Sequence, residues 1–214
     1  MIEAVLFDMD GVLVDSEEYI CKAAIQMYKN LGYTVYEEDF LPFVGKGENK
    51  YIGGVAEKYK ISINIDEAKN NTYRIYGEMV HGKLSLLPGV REFIKAAKLK
   101  GLKLAVATSA DKIKMEINLR ETGLGIETFD ATANGLEVEH KKPAPDIFLL
   151  AAKKLGVHPN NALVVEDAIS GIDAALAAGC RCLALTTSFP ANKLTKANWI
   201  CKDLSEYPTD CLNW

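Results

Sequence analysis

The chain opens on an unbroken apolar run, Ala4-Val5-Leu6-Phe7, preceded by Ile2 and cut off by Asp8 and Asp10. Continuous apolar character, rather than alternation, predicts a strand buried on both faces, as in a parallel sheet. From residue 17 the spacing changes. Ile20, Ala23, Ala24, Met27, Tyr28 and Leu31 recur at helical intervals, and Gly32 follows them as a stop. Residues 36–81 continue as broken helices over 37–40, 49–60 and 66–80, with no strand pattern as clear as the first. From residue 88 the rhythm alternates. Pro88-Gly89 opens a helix ending at Lys100-Gly101, and residues 102–107 read as a second buried strand. Helices then follow up to Gly123, over 144–155 before Gly156, and over 169–178 before Gly179. Strands are predicted over 162–165 and 180–185.

Strand alternating with helix across short links predicts an α/β fold, a Rossmann-like parallel sheet with helices on both faces. The helical stretch breaks that rhythm just after the first strand. It is expected to be an inserted all-helical cap domain at 15–81, leaving 1–14 and 82–214 as the α/β catalytic core. The chain shows neither internal repeats nor low-complexity segments.

Composition narrows the partners. The 214 residues are 49% hydrophobic and 25% charged, with a formal net charge of −4 and no long basic run. Nucleic acid is disfavoured on that ground, because phosphate-backbone binding normally shows as a basic patch. A membrane span is not expected either, since no apolar run approaches the roughly 20 residues required. The first apolar stretch is too short for a signal peptide, and acidic rather than basic residues flank it. Five scattered cysteines, odd in number, suit reduced thiols, so a cytoplasmic protein is expected. A monomer or weak homo-oligomer is expected.

In open parallel sheets ligands sit at the carboxyl ends of the strands. The residues predicted there are Asp8-Met9-Asp10-Gly11 after the first strand, Thr108-Ser109 after the second and Glu166-Asp167 after the third, with Lys141-Lys142-Pro143 ahead of a helix. Carboxylates, hydroxyls and a lysine thus converge on one edge. Burying several carboxylates together is costly unless a cation neutralises them, and oxygen ligands of this kind suit magnesium.

This set resembles the haloacid dehalogenase superfamily. Phe7-Asp8-Met9-Asp10-Gly11-Val12-Leu13-Val14-Asp15-Ser16 is similar to its first motif and Ala107-Thr108-Ser109 to its second. Lys142-Pro143-Ala144-Pro145-Asp146 is similar to the third, and the run from Val165-Glu166-Asp167 to Ala175 to the fourth. The cap's position suggests the branch of β-phosphoglucomutases and phosphoglycolate phosphatases. The resemblance implies Asp8 as nucleophile, Asp10 as general acid and base, and Thr108 and Lys142 as further catalytic groups. It implies magnesium held by Asp8, Glu166, Asp167 and the carbonyl of Asp10, and a small phosphorylated metabolite as substrate. The backbone amide of Ser109 would bind the phosphoryl group, and Gly11 would permit the turn toward the cap. An aspartate at position 10 favours an oxygen leaving group, because expelling a halide needs no proton.

Plainer readings stand beside these. The loop carboxylates, Thr108 and Ser109 also serve as helix caps. Glu166 also fits a place behind the metal's direct ligands. Lys141 is read as the surface counterpart of Lys142, Asp173 as an exposed or capping residue, and His81, His140 and His158 are assigned no role. β-Phosphoglucomutases carry a threonine and a histidine after the nucleophile motif and a Lys-Gly-x-Ser-Arg loop in the cap. This chain has Ser16 and Ile20, and Val44-Gly45-Lys46-Gly47-Glu48-Asn49-Lys50. A phosphatase is therefore the favoured expectation, with Lys46 and Lys50 as candidate substrate contacts. A mutase is the alternative, and a non-catalytic metal-binding or regulatory protein a remote one.

Overall fold

A computed structural model describes residues 1–44 and 47–214. Strands β1 (Ala4–Phe7), β2 (Lys103–Ala107), β3 (Ala131–Ala133), β4 (Ala162–Glu166), β5 (Arg181–Leu185) and β6 (Trp199–Cys201) form one parallel sheet. Its spatial order is β3-β2-β1-β4-β5-β6. The order reverses direction at β1, which puts a crevice beyond that strand's carboxyl end.

Helices α1 (Glu17–Asn30), α2 (Glu48–Tyr59) and α3 (Ile65–Val80) form a helical cap between β1 and the rest of the sheet. Helices α4 (Val90–Leu99), α5 (Lys112–Glu121), α6 (Asp146–Leu155) and α7 (Ile169–Ala177) alternate with the later strands. No described helix is long and apolar enough to cross a membrane.

Strand periodicity sorts the core into two layers. Val5, Phe7, Leu104, Val106, Leu163 and Val165 face α4 and the cap side, where Phe7 meets Phe93 and Phe129 edge-on at 5.9 and 6.0 Å. Ala4, Leu6, Ala105, Ala107 and Val164 face the opposite way, against Phe148, Ala151 and Ala152 of α6 and Ala174 and Ala175 of α7. The small strand residues let α6 and α7 approach closely. Replacing the fully buried Phe7 by alanine would cost about 3–5 kcal/mol.

Within the cap, Tyr28 packs against Phe40, which stacks on Tyr51 at 4.9 Å, and the Tyr28 hydroxyl donates to the Ile52 carbonyl at 2.7 Å. The two segments joining cap and core lie side by side. Val14 bridges antiparallel to Leu86, and the Leu87 amide donates to the Leu13 carbonyl at 3.0 Å.

Two strands escaped the sequence pattern. β3 is Ala-Thr-Ala and β6 is Trp-Ile-Cys, each too short to carry a periodicity. The strand expected from Cys180 begins at Arg181, because the Cys180 amide donates back to Ala175 and closes α7. Lys141, expected at the surface, is half-buried with its ammonium on the Gly135 carbonyl.

Candidate active site

Register brings the strand ends together. Phe7 pairs with Val106 on one side and Val165 on the other, so Asp8, Thr108 and Glu166 leave the sheet as neighbours. The Asp8 amide donates to Val165 at 3.0 Å and the Thr108 amide to Ala133 at 3.0 Å, which fixes both loops to the strands beside them. A cavity of about 880 Å³ opens above these ends. Asp8, Asp10, Gly11, Thr108, Ser109, Lys142, Glu166 and Asp167 all line it.

Gly11 shows why the first loop needs a glycine. Its φ of +73° lies in the left-handed region, and an added Cβ would stand 2.0 Å from an Asp167 carboxylate oxygen. Gly171 in α7 plays the matching part behind Glu166, where a Cβ would meet a carboxylate oxygen at 1.8 Å.

Oxygens of Asp8, Glu166 and Asp167 lie within 4.8 Å of one another. Lys142 reaches between them, donating to Asp8 at 2.6 Å and to Glu166, with its ammonium 4.9 Å from the centre of the Phe148 ring. Burial pushes Asp8 up to about 7, with Lys142 opposing and Glu166 adding to the rise. Burial likewise holds Asp167 well above the ordinary carboxylate range, helped by Glu166 and Asp8. Burial works against the charge on Lys142, but Asp8 and Glu166 hold it above its usual value. Three buried carboxylates facing one ammonium leave a deficit of positive charge. That deficit, together with oxygen donors alone, fits a divalent cation.

The members of the set are held differently. Glu166 is 1% exposed, and its second oxygen accepts from the amides of Asp167 and Ala168 at 2.9 Å each. Asp167 accepts from the Ser188 hydroxyl. Thr108 accepts from the Ala110 amide at 3.1 Å, a contact within the loop ahead of α5, whose N-cap is Asp111.

Asp10 turns to other partners. It accepts from the Ser16 hydroxyl and, at 2.8 Å, from Lys114 of α5. Lys114 is buried, and Glu17 stands 4.0 Å away. Asn118, one turn along α5, donates to the Ser16 oxygen at 3.4 Å and accepts from Tyr76 of the cap. A second cap–core tie joins Lys69 to Asp111 at 3.1 Å, both buried.

Sequence reasoning missed Lys114, Glu17, Glu48 and Ser188, all of which line the same cavity. Ser188 lies past a strand end and carries no motif. For Lys114 a signal existed, since Lys114 and Asn118 share a helical face with the buried Met115 and Leu119. Of the two cap lysines expected at the substrate, Lys50 is exposed on α2 and is not among the cavity's described lining residues. Lys46 lies outside the described residues.

A family model described as haloacid dehalogenase-like hydrolase matches residues 5–185. The protein SUPPRESSOR OF QUENCHING 1, chloroplastic, of Arabidopsis thaliana is 45% identical over 87% of this chain. The chain spans only 18% of that protein's length. A phosphorylated carbohydrates phosphatase of Thermotoga maritima is 33% identical over 83% of this chain and 82% of its own. Among solved structures, CbbY of Rhodobacter sphaeroides in complex with xylulose 1,5-bisphosphate superposes with a TM-score of 0.87. That match is 28% identical and covers 100% of both chains.

Proposed function

This chain belongs to the haloacid dehalogenase-like hydrolases and is an enzyme of phosphatase type; from that premise we propose that it hydrolyses a small phosphorylated sugar, with magnesium, through a phosphorylated Asp8. One observation carries the reading. A carboxylate at the end of the central strand, 2.6 Å from a buried lysine, stands within 4.8 Å of two more carboxylates on the floor of a sugar-sized cavity.

Asp8, Asp167, Glu166 and the carbonyl of Asp10 would hold the cation. When bound, magnesium offsets the repulsion between a carboxylate nucleophile and a phosphate dianion, which at 4 Å is about 4 kcal/mol per pair of unit charges near a protein surface. An Asp8 oxygen forms the new bond to phosphorus while the bond from phosphorus to the leaving oxygen breaks. Asp10 protonates that oxygen and then takes a proton from the water that attacks the phosphorylated Asp8, releasing phosphate and restoring the carboxylate. Thr108, the Ser109 amide and Lys142 hold the phosphoryl oxygens.

We take residues 15–81 as the cap and 1–14 with 82–214 as the core. The paired segments at Val14 and Leu86 support that division, and they are where the cap would hinge to exclude water during the first step.

The test is magnesium-dependent phosphate release from a panel of sugar phosphates, phosphoglycolate and nucleotides. Asp8→Asn should lower it at least ~10³-fold. In parallel, β-glucose 1-phosphate with a trace of glucose 1,6-bisphosphate is assayed for glucose 6-phosphate. Isomerisation without release would replace the phosphatase reading by the mutase. Asp8-independent release would refute the nucleophile, and full function in Asp8→Asn cells would favour a binding role.

A further inference from the structure

The loop after β5 reaches back to the loops after β1 and β4, which carry the carboxylates proposed to hold the cation. The Thr187 hydroxyl donates to the Gly11 carbonyl at 2.5 Å, and the Ser188 hydroxyl to Oδ2 of Asp167. The Thr186 amide ties the start of the loop to the Cys201 carbonyl of β6 at 3.0 Å. Ser188 is exposed as a residue, yet its hydroxyl ends on a carboxylate that is 4% exposed. Anchored at Thr186 and Thr187, the loop presents Ser188 to Asp167 from a fixed place.

The oxygens of the three carboxylates are shared out unequally. Lys142 takes Oδ1 of Asp8 at 2.6 Å, and Ser188 takes Oδ2 of Asp167. Glu166 has donors on both oxygens, Lys142 on one and the Asp167 and Ala168 amides on the other. Among the described residues, no donor hydrogen-bonds to Oδ2 of Asp8 or Oδ1 of Asp167. Each of these two aspartates therefore leaves one oxygen to a cation while the protein holds the other. That division suits a small ion. Magnesium keeps several waters and takes one or two carboxylates, whereas calcium gathers about six to eight oxygens and often takes both from one carboxylate. A hydroxyl proton on Oδ2 makes that oxygen a poorer donor to a cation. It also resists the rotation that would turn both oxygens to one ion.

We propose that Ser188 is a specificity-determining residue for the metal, holding Asp167 to one available oxygen and so favouring magnesium over calcium. This rests on the magnesium site proposed above and adds to it a residue that chooses between ions. Ser188 acts through Asp167, as a positioning residue and not as a ligand. The selection works against the wrong ion, by withholding an oxygen that calcium would use and magnesium would not.

The test titrates the metal-free protein with magnesium chloride and, separately, with calcium chloride by calorimetry, so that no turnover is needed. Ser188→Ala should lower the ratio of the calcium Kd to the magnesium Kd by about tenfold, since loss of a partner behind a metal ligand typically changes affinity by about 10–100-fold. Magnesium binding should weaken while calcium binding holds or tightens. Ser188→Thr keeps a hydroxyl and should return the wild-type ratio. Because both ions are read on the same variant, a general loosening of the fold moves both constants together and leaves the ratio alone. A Ser188→Ala ratio equal to that of wild type therefore overturns the proposal, whether both constants stay or both weaken. So does a Ser188→Thr protein that behaves as Ser188→Ala. Asp167→Asn separates this from the underlying reading. If that variant binds magnesium as wild type does, or if wild type binds neither ion, the proposed metal site falls and Ser188 falls with it. If Asp167→Asn loses magnesium while the Ser188→Ala ratio does not move, Ser188 alone is refuted.

Discussion

Replacing Lys114 by methionine keeps the length of the side chain and deletes its charge. Asp10 then keeps the Ser16 hydroxyl but loses the ammonium at 2.8 Å. Removing one partner of a buried ion pair costs about 3–5 kcal/mol. The Asp10 side chain is 25% exposed, so water relieves part of this, and about 2–3 kcal/mol is expected. In a chain of this size that lowers Tm by roughly 4–12 °C. Activity should suffer as well, because Asp10 is the proposed proton carrier and general acid–base groups contribute ~10²–10⁴-fold. Ser16 still holds part of the geometry, so a kcat loss of about 10–10²-fold is expected, up to but not beyond the lower limit of that range. The assay is thermal melting with steady-state kinetics on one sugar monophosphate, with Lys114→Arg restoring the charge. A Lys114→Met protein with wild-type Tm and kcat would show that the pair neither stabilises the fold nor positions Asp10.

Two further outcomes follow from the same geometry. Gly11→Ala forces a Cβ into the left-handed region and onto Asp167, so a loss of at least ~2 kcal/mol and weaker magnesium binding are expected, read by melting and by magnesium titration. Magnesium binding of wild-type strength in that variant would count against Asp167 as a ligand. The metal-free protein should lose stability as pH rises. Asp8 and Glu48 are both pushed up to about 7 by burial, from the ordinary carboxylate values of 3.8 and 4.5. Between about pH 4 and 7 the folded state therefore binds more protons than the unfolded one, so stability falls through that window. Melting from pH 5 to pH 8 checks the sign, and saturating magnesium should flatten the curve by favouring ionised Asp8. A Tm that rises with pH in the metal-free protein would contradict the burial argument.

How much was legible in the sequence depended on whether local pattern or long-range packing set each feature. β1 and β4 are fully buried, and β2 and β5 are buried beyond their first residues, so their apolar runs survive in any window, and the loops after three of these strands carry the chemistry-bearing residues. β3 and β6 exist because β2 and β5 offer them an edge to pair with, which three residues cannot announce. The cap helices carry amphipathic spacing and were visible, whereas what the cap places over the cavity was not. Glu48 reads as an ordinary first-turn acid of α2, and Lys114 as one of two lysines in α5, until the fold hides a carboxylate oxygen of the one and pairs the other with Asp10. Motifs report residues whose neighbours in sequence share the task. Lys114 acts through Asp10, 104 residues away, and no window spans that.

The most direct test of the account is to catch the phosphoryl group on Asp8. Wild-type protein turning over para-nitrophenyl phosphate with magnesium is quenched rapidly in acid, and its peptides are mapped by mass. The account predicts a phosphorylated peptide containing Asp8, absent from Asp8→Asn. Rapid turnover with that peptide unmodified, and phosphate release persisting in Asp8→Asn, would contradict it.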